Sequence, residues 1–268
     1  MLLIMNNKYG KFLKIIKIIF SNPKVLGNLL QYDRSNTNHL KTKYKIDHLP
    51  TIDLLDLFPE FNIKVPFYAG LGGGSTPLDY ALLMKLAKEI PCKRYFEIGT
   101  WIGESASNLS TIVNECVSLS LSDEQLQEKK FYTKEMIQSQ RFYSKNIKNI
   151  THIYGDSKTI DYTKFGKFEL IFIDGNHSYD YVKSDTMHAF KLLNNNNSMI
   201  VWHDYSNLTG DDINWEVFAG ILDGCPKDQI QNLYHVSNTM CAIYTKKKIS
   251  IKNNTFYPPT MNSCVNKN

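Results

Sequence analysis

The chain has 268 residues, 43% of them hydrophobic, enough for one sizeable α/β domain with an appendage. Its 31 basic and 26 acidic residues give a net charge of only +5, a balance too mild to point to nucleic-acid binding. The five cysteines, at 92, 116, 225, 241 and 264, form no CxxC pair and leave an odd count, which argues against a disulfide framework or a zinc site and fits a reducing cytoplasm.

The first twenty residues are apolar but interrupted by Lys8, Lys11, Lys14 and Lys17, so they read as neither a signal peptide nor a membrane span. Residues 12–30 have the make-up of a basic amphipathic helix broken near Pro23. Such a helix packs on the main domain, on a second subunit or on a membrane surface. Residues 10–31 are therefore the candidate for a homo-oligomer contact or for a peripheral contact with the inner membrane face, in an otherwise cytoplasmic protein.

Residues 32–63 show no sustained period and read as a linker, so 1–63 form a helical extension and linker before a main domain at 64–248. Gly70-Leu-Gly-Gly-Gly74 leads into Ser75-Thr-Pro77, a helix start with Ser75 or Thr76 as cap and the proline in the first turn. Leu78, Ala81, Leu82, Leu86 and Ala87 share one face of that helix.

Beyond Pro91, short apolar runs alternate with helical segments, at 94–98, 117–121, 150–154, 169–173, 199–202, 233–236 and 241–244. That alternation predicts βαβ units and a doubly wound, mostly parallel α/β sheet. The Asn-rich residues 249–268 read as a polar tail.

In such a sheet ligands sit beyond the carboxyl ends of the strands, so the residues after each strand are the candidates for chemistry. The first strand ends in Glu97-Ile-Gly99-Thr100-Trp-Ile-Gly103, and a helix starts there. Glycines allow a tight turn and close approach of a ligand, and the helix start offers free N–H groups. The spacing is not GxGxxG, and Glu97 would repel a pyrophosphate while suiting an ammonium group or ribose hydroxyls. S-adenosylmethionine carries both. A tight strand-to-helix turn without any ligand has the same signature.

After the third strand comes Gly155-Asp156-Ser157, where Asp156 is either an adenine acceptor or a helix cap. Phe172-Ile-Asp174-Gly-Asn-His177 follows the fourth strand and Val201-Trp-His203-Asp204 the fifth, so one crevice collects Asp174, His177, His203 and Asp204. Two aspartates and a histidine can hold a divalent ion, and another histidine can take a proton from a hydroxyl. A turn residue, a cap and a half-buried histidine are the structural alternatives.

Residues 72–246 resemble class I S-adenosylmethionine-dependent methyltransferases acting on sugars and natural products, above all macrolide-sugar O-methyltransferases, cephalosporin-hydroxylase-like proteins and methyltransferases of surface-polysaccharide clusters. The resemblance implies a Rossmann-like fold with S-adenosylmethionine held by Glu97, Gly99, Thr100, Gly103, Ser120, Asp156 and Asp174. It further implies Mg2+ or Mn2+ on Asp174, His203 and Asp204, and His177 as the base. Ser120 stands where the second strand of these proteins ends in an acid, and Asp123 or Glu124 is close enough to take that part. The implied acceptor is a hydroxyl of a sugar, nucleotide-linked sugar or glycan. A hydroxylase-like enzyme and a non-catalytic cofactor or partner binder are the rival readings.

Overall fold

The computed structural model describes residues 35–247, apart from 72, 73, 130, 131, 209 and 211. The expected helix at 12–30 and the tail at 249–268 lie outside the described residues. Two units are present, up to Asp47 and from His48 onward. Of the first, helix α1 (Ser35–Lys43) is described.

The second unit begins with β1 (Thr51–Ile52) and α2 (Leu54–Leu57), inside the segment whose sequence reads as linker. Then come α3 (Pro77–Glu89), β2 (Arg94–Ile98), α4 (Glu104–Ser110), β3 (Glu115–Ser120), α5 (Asp123–Gln127), α6 (Lys134–Gln138), β4 (Ile150–Tyr154) and β5 (Leu170–Ile173). The unit closes with α7 (Tyr179–Leu192), β6 (Met199–Trp202), α8 (Trp215–Gly224), β7 (Leu233–Val236) and β8 (Ala242–Tyr244).

The eight strands form one sheet in the order β1-β7-β8-β6-β5-β2-β3-β4. Only β8 runs against its neighbours, β6 and β7. β5 and β6 carry the uninterrupted apolar runs Leu-Ile-Phe-Ile and Met-Ile-Val-Trp because both of their faces are covered, which is why period-2 patterning is missing from them. One face packs Tyr95, Phe172 and Val201 against Leu82, Leu83 and Leu86 of α3 and Leu109 of α4. On the other, Trp202 Nε1 donates to Thr186 Oγ1 of α7 at 2.9 Å, giving a buried indole its partner.

α3 starts where the sequence places it, with Thr76 as cap: its Oγ1 accepts from Asp79 N, and Asp79 Oδ2 accepts from Thr76 N at 2.7 Å. Such a reciprocal cap is worth about 1 kcal/mol. The sheet order reverses direction between β2 and β5, the switch point at which a crevice opens at the strand ends. Among the described residues no helix is long and apolar enough to cross a membrane.

Candidate functional site

In-register pairing aligns Ile98, Ile173 and Trp202 across β2, β5 and β6. The pairing continues one residue further, with Asp174 N donating to Ile98 O and His203 N to Ile173 O, so Gly99, Asp174 and His203 stand side by side at the sheet edge. A cavity of about 490 Å³ opens there, with Gly99, Thr100, Ser120, Asp156, Asp174 and His177 all on its wall.

Gly99 sits at φ +100°, and a Cβ on it would lie 1.9 Å from Asp174 O. Its first task is thus to let the β2–α4 turn touch the β5–α7 turn; it also faces the cavity. Gly103, at φ +84°, caps α4 beside Ser144 and is not on the cavity wall.

Glu97, expected to touch the ligand, is instead fully buried and absent from the cavity wall. Tyr95 OH donates to it at 2.8 Å and Ser118 Oγ at 2.6 Å, and Thr100 Oγ1 lies 2.6 Å from Ser118 Oγ. Burial pushes its carboxyl up to about 7, against the pull of those hydroxyls. The physical reason is period two along β2: Glu97 shares its face with Tyr95, under α3 and α4, and the strand must end before the backbone reaches the crevice.

Ser120 Oγ is buried on the cavity wall and has no partner, and the indole Nε1 of Trp101 is in the same state. Asp123 does not help Ser120, because it is ion-paired with Arg141; neither Asp123 nor Glu124 reaches the cavity. Asp156 is on the wall with its carboxylate already engaged, by Tyr181 OH at 2.8 Å and Lys158 N at 2.9 Å.

Beside the cavity the fourth and fifth strand ends meet as expected. Ligand atoms of Asp174, His177 and Asp204 all lie within 4.8 Å of one another, and His177 Nδ1 is 3.3 Å from Asp204 Oδ2. Asp204 holds a left-handed φ of +53°, a conformation rarely tolerated outside turns and functional sites. His203 does not join this group as a third ligand. Its side chain is 3% exposed and wedged beneath, with Nδ1 3.0 Å from Asp204 and 3.3 Å from Asp174, and Nε2 3.3 Å from Asp79. Burial lowers its pKa, but the carboxylates outweigh burial and raise it well above the ordinary value, and both ring nitrogens face carboxylates rather than the cavity. His177, not His203, stands with the two aspartates.

Asp79 and Glu104 have no place in the sequence reading. Asp79 was legible only as a residue of a helix start, yet its fully buried carboxylate also receives Met240 N at 2.9 Å and anchors His203. Glu104 follows Gly103 as the first residue of α4 and lines the cavity. An acid at a helix N-terminus is ordinarily a dipole partner, and that reading hides it.

Among solved structures the chain is similar to an O-methyltransferase from Bacillus cereus in complex with SAH, at 16% identity over 66% of this chain and 84% of that one, TM-score 0.44. It is similar to the O-methyltransferase TomG from Streptomyces achromogenes, involved in tomaymycin synthesis and in complex with SAM, at 14% identity over 64% and 82%, TM-score 0.43. It is also similar to the SAH-bound Podospora anserina methyltransferase PaMTH1, at 20% identity over 65% and 80%, TM-score 0.43. No curated protein sequence matches. A family model described as a methyltransferase domain matches residues 96–205, a span that opens within β2 and takes in Gly99, Asp174, His177, His203 and Asp204. Over those residues, less than half of the chain, the sequence is similar to a methyltransferase domain.

Proposed function

We propose that the protein transfers the methyl group of S-adenosylmethionine to a hydroxyl of a sugar, nucleotide-linked sugar or glycan, in the building of surface polysaccharide. The observation that carries this reading is the meeting of Asp174, His177 and Asp204 on the rim of the cavity that opens at Gly99. A base and two carboxylates there suit the hydroxyls of a polyhydroxylated acceptor.

Methyl transfer is an in-line displacement. The acceptor oxygen forms a bond to the methyl carbon, the carbon–sulfur bond breaks with its electron pair staying on sulfur, and the hydroxyl proton leaves for a base. Most of the acceleration comes from holding oxygen, carbon and sulfur in line. His177 is half-exposed, and Asp204 beside Nδ1 favours the tautomer with the proton there, leaving Nε2 as the acceptor of the hydroxyl proton. Asp204 is in turn fixed by the His203 ring.

Asp174 and Asp204 also suit a divalent cation through their carboxylate oxygens, with His177 beside them left free as the base. Bound there, the ion would lower the pKa of a coordinated hydroxyl and orient it. The cofactor side is assigned to Gly99, Thr100, Ser120 and Asp156 on the wall, with Glu97 acting from behind through Ser118 and Thr100.

The test is release of S-adenosylhomocysteine by purified protein offered a panel of nucleotide sugars and glycans, with and without chelator. Turnover restored by magnesium or manganese supports both parts. Turnover indifferent to chelator removes the metal, and tight cofactor binding with no turnover on any acceptor favours a binder, the role that an uncompensated Ser120 would fit.

A further inference from the structure

The cavity wall contains a carboxylate that the reading above does not use. Glu104 is 5% exposed and lines the cavity next to Ser105 and Gly74. Its partners are both neutral: Tyr80 OH donates to Oε2 at 2.9 Å and Ala69 N donates to Oε1. Among the described residues no basic side chain pairs with it. A buried carboxylate that accepts two hydrogen bonds still has lone pairs to fill, and leaving a charge in this state without a counter-ion is costly.

The surroundings point the same way. Asp174 lies on the same part of the wall, with Ser75 Oγ donating to its Oδ2 at 3.3 Å, and burial together with the Glu104 and Asp174 charges holds the Tyr80 phenol protonated. Two negative groups with hydroxyls between them form one end of the cavity. Elsewhere on the wall, Ser120 Oγ and Trp101 Nε1 are buried and unpartnered, as expected of a wall made to receive a polar ligand. The end with Glu104 requires a ligand group that is positively charged and rich in donors. A primary ammonium meets this with three N–H donors.

Resting on the cofactor assignment above, we propose that Glu104 binds the ammonium group of the cofactor's amino-acid portion, the task the sequence suggests for Glu97. An amino group on the acceptor would offer the same chemistry, and the two sources are separable. Because Glu104 also holds Ala69, and Asn108 one turn later receives Phe67 N and donates to Phe67 O, cofactor capture is tied to the placement of residues 67–69 against α4.

The experiment is calorimetric binding of S-adenosylhomocysteine and of its deamino analogue, which lacks only the ammonium, to wild type, Glu104→Gln and Glu104→Asp. In wild type the analogue should bind roughly 10- to 100-fold more weakly, the range of a charge-assisted hydrogen bond. Glu104→Gln keeps an acceptor for Ala69 and should close most of that gap, and Glu104→Asp should restore part of it. Equal affinity of the two ligands for wild type overturns the proposal without recourse to any variant, as does an unchanged gap in a Glu104→Gln protein whose unliganded melting matches wild type. A gap that stays open while Glu104→Gln loses affinity for glucosamine assigns Glu104 to the acceptor and overturns the cofactor assignment of this residue. Absence of any S-adenosylhomocysteine binding to wild type is a different result, since it overturns the cofactor reading of the whole cavity.

Discussion

Asp185 offers a stability test whose sign and size both come from burial. It sits on α7 and is fully buried. Burial pushes its carboxyl from 3.8 up to about 7; the Ser157 hydroxyl and Lys158 offset part of the effect and the Asp156 charge adds to it. The native state therefore holds this proton more tightly than the unfolded chain does. Stability from this group is complete below pH 3.8, falls as the pH rises through about 7, and is constant thereafter. The interval from 3.8 to about 7, at roughly 1.36 kcal/mol per pH unit, sets a ceiling of about 4 kcal/mol, of which about 2 to 3 kcal/mol falls between pH 5 and pH 8. Asp185→Asn removes the titration, and any cost of an unpaired amide is the same at every pH. Urea unfolding followed by tryptophan fluorescence should therefore show the variant gaining about 2 to 3 kcal/mol on wild type from pH 5 to pH 8. A difference that does not change with pH would refute the reasoning, because it would mean that the carboxyl titrates alike in both states.

Three further outcomes are expected. Gly99→Val should fail as a fold rather than as a binding site, since its Cβ would overlap the Asp174 carbonyl; a soluble variant with wild-type melting and reduced cofactor affinity would contradict this. His177→Ala should keep S-adenosylhomocysteine affinity and lose about 10²- to 10⁴-fold in turnover, part of it returning at high pH, and near-normal turnover would remove the base. Asp174→Asn should weaken activation by magnesium or manganese in a way that excess metal corrects, which a titration of rate against metal concentration would show or exclude.

Much of the sheet was legible because strand ends and apolar runs coincide: 94–98, 150–154, 199–202 and 233–236 fall on the observed strands, and Thr76-Pro77 starts α3. β1 was not, because two residues, Thr51 and Ile52, carry no period and gain their pairing only from β7 far along the chain. The meeting of Asp174 with Asp204 followed from strand order alone, since both residues come just after neighbouring parallel strands. What spacing could not supply was depth. His203 and Asp204 are consecutive, yet one ring lies under the site and the other side chain on it, because alternation along a strand end sends neighbours to opposite sides and Asp204 takes a left-handed turn. The same limit misplaced Glu97.

Depth also sorts the acids by the work each can do. Glu97, sealed with two hydroxyl donors, is held partly protonated near neutral pH and is a poor place for a ligand cation, which could not reach it. Asp79 is spent on a helix cap, a backbone amide and the His203 ring, and so fixes that ring in place. Asp174 and Asp204 share this single ring from above while keeping oxygens toward His177, so their geometry is set from below and their remaining lone pairs are left for what enters the crevice. Among the described residues, Glu104 alone combines deep burial, cavity exposure and purely neutral partners. A carboxylate so placed is tolerable in the folded protein if the charge it lacks arrives with the ligand, and the cost of waiting for it is returned as selectivity for ligands that bring an ammonium group.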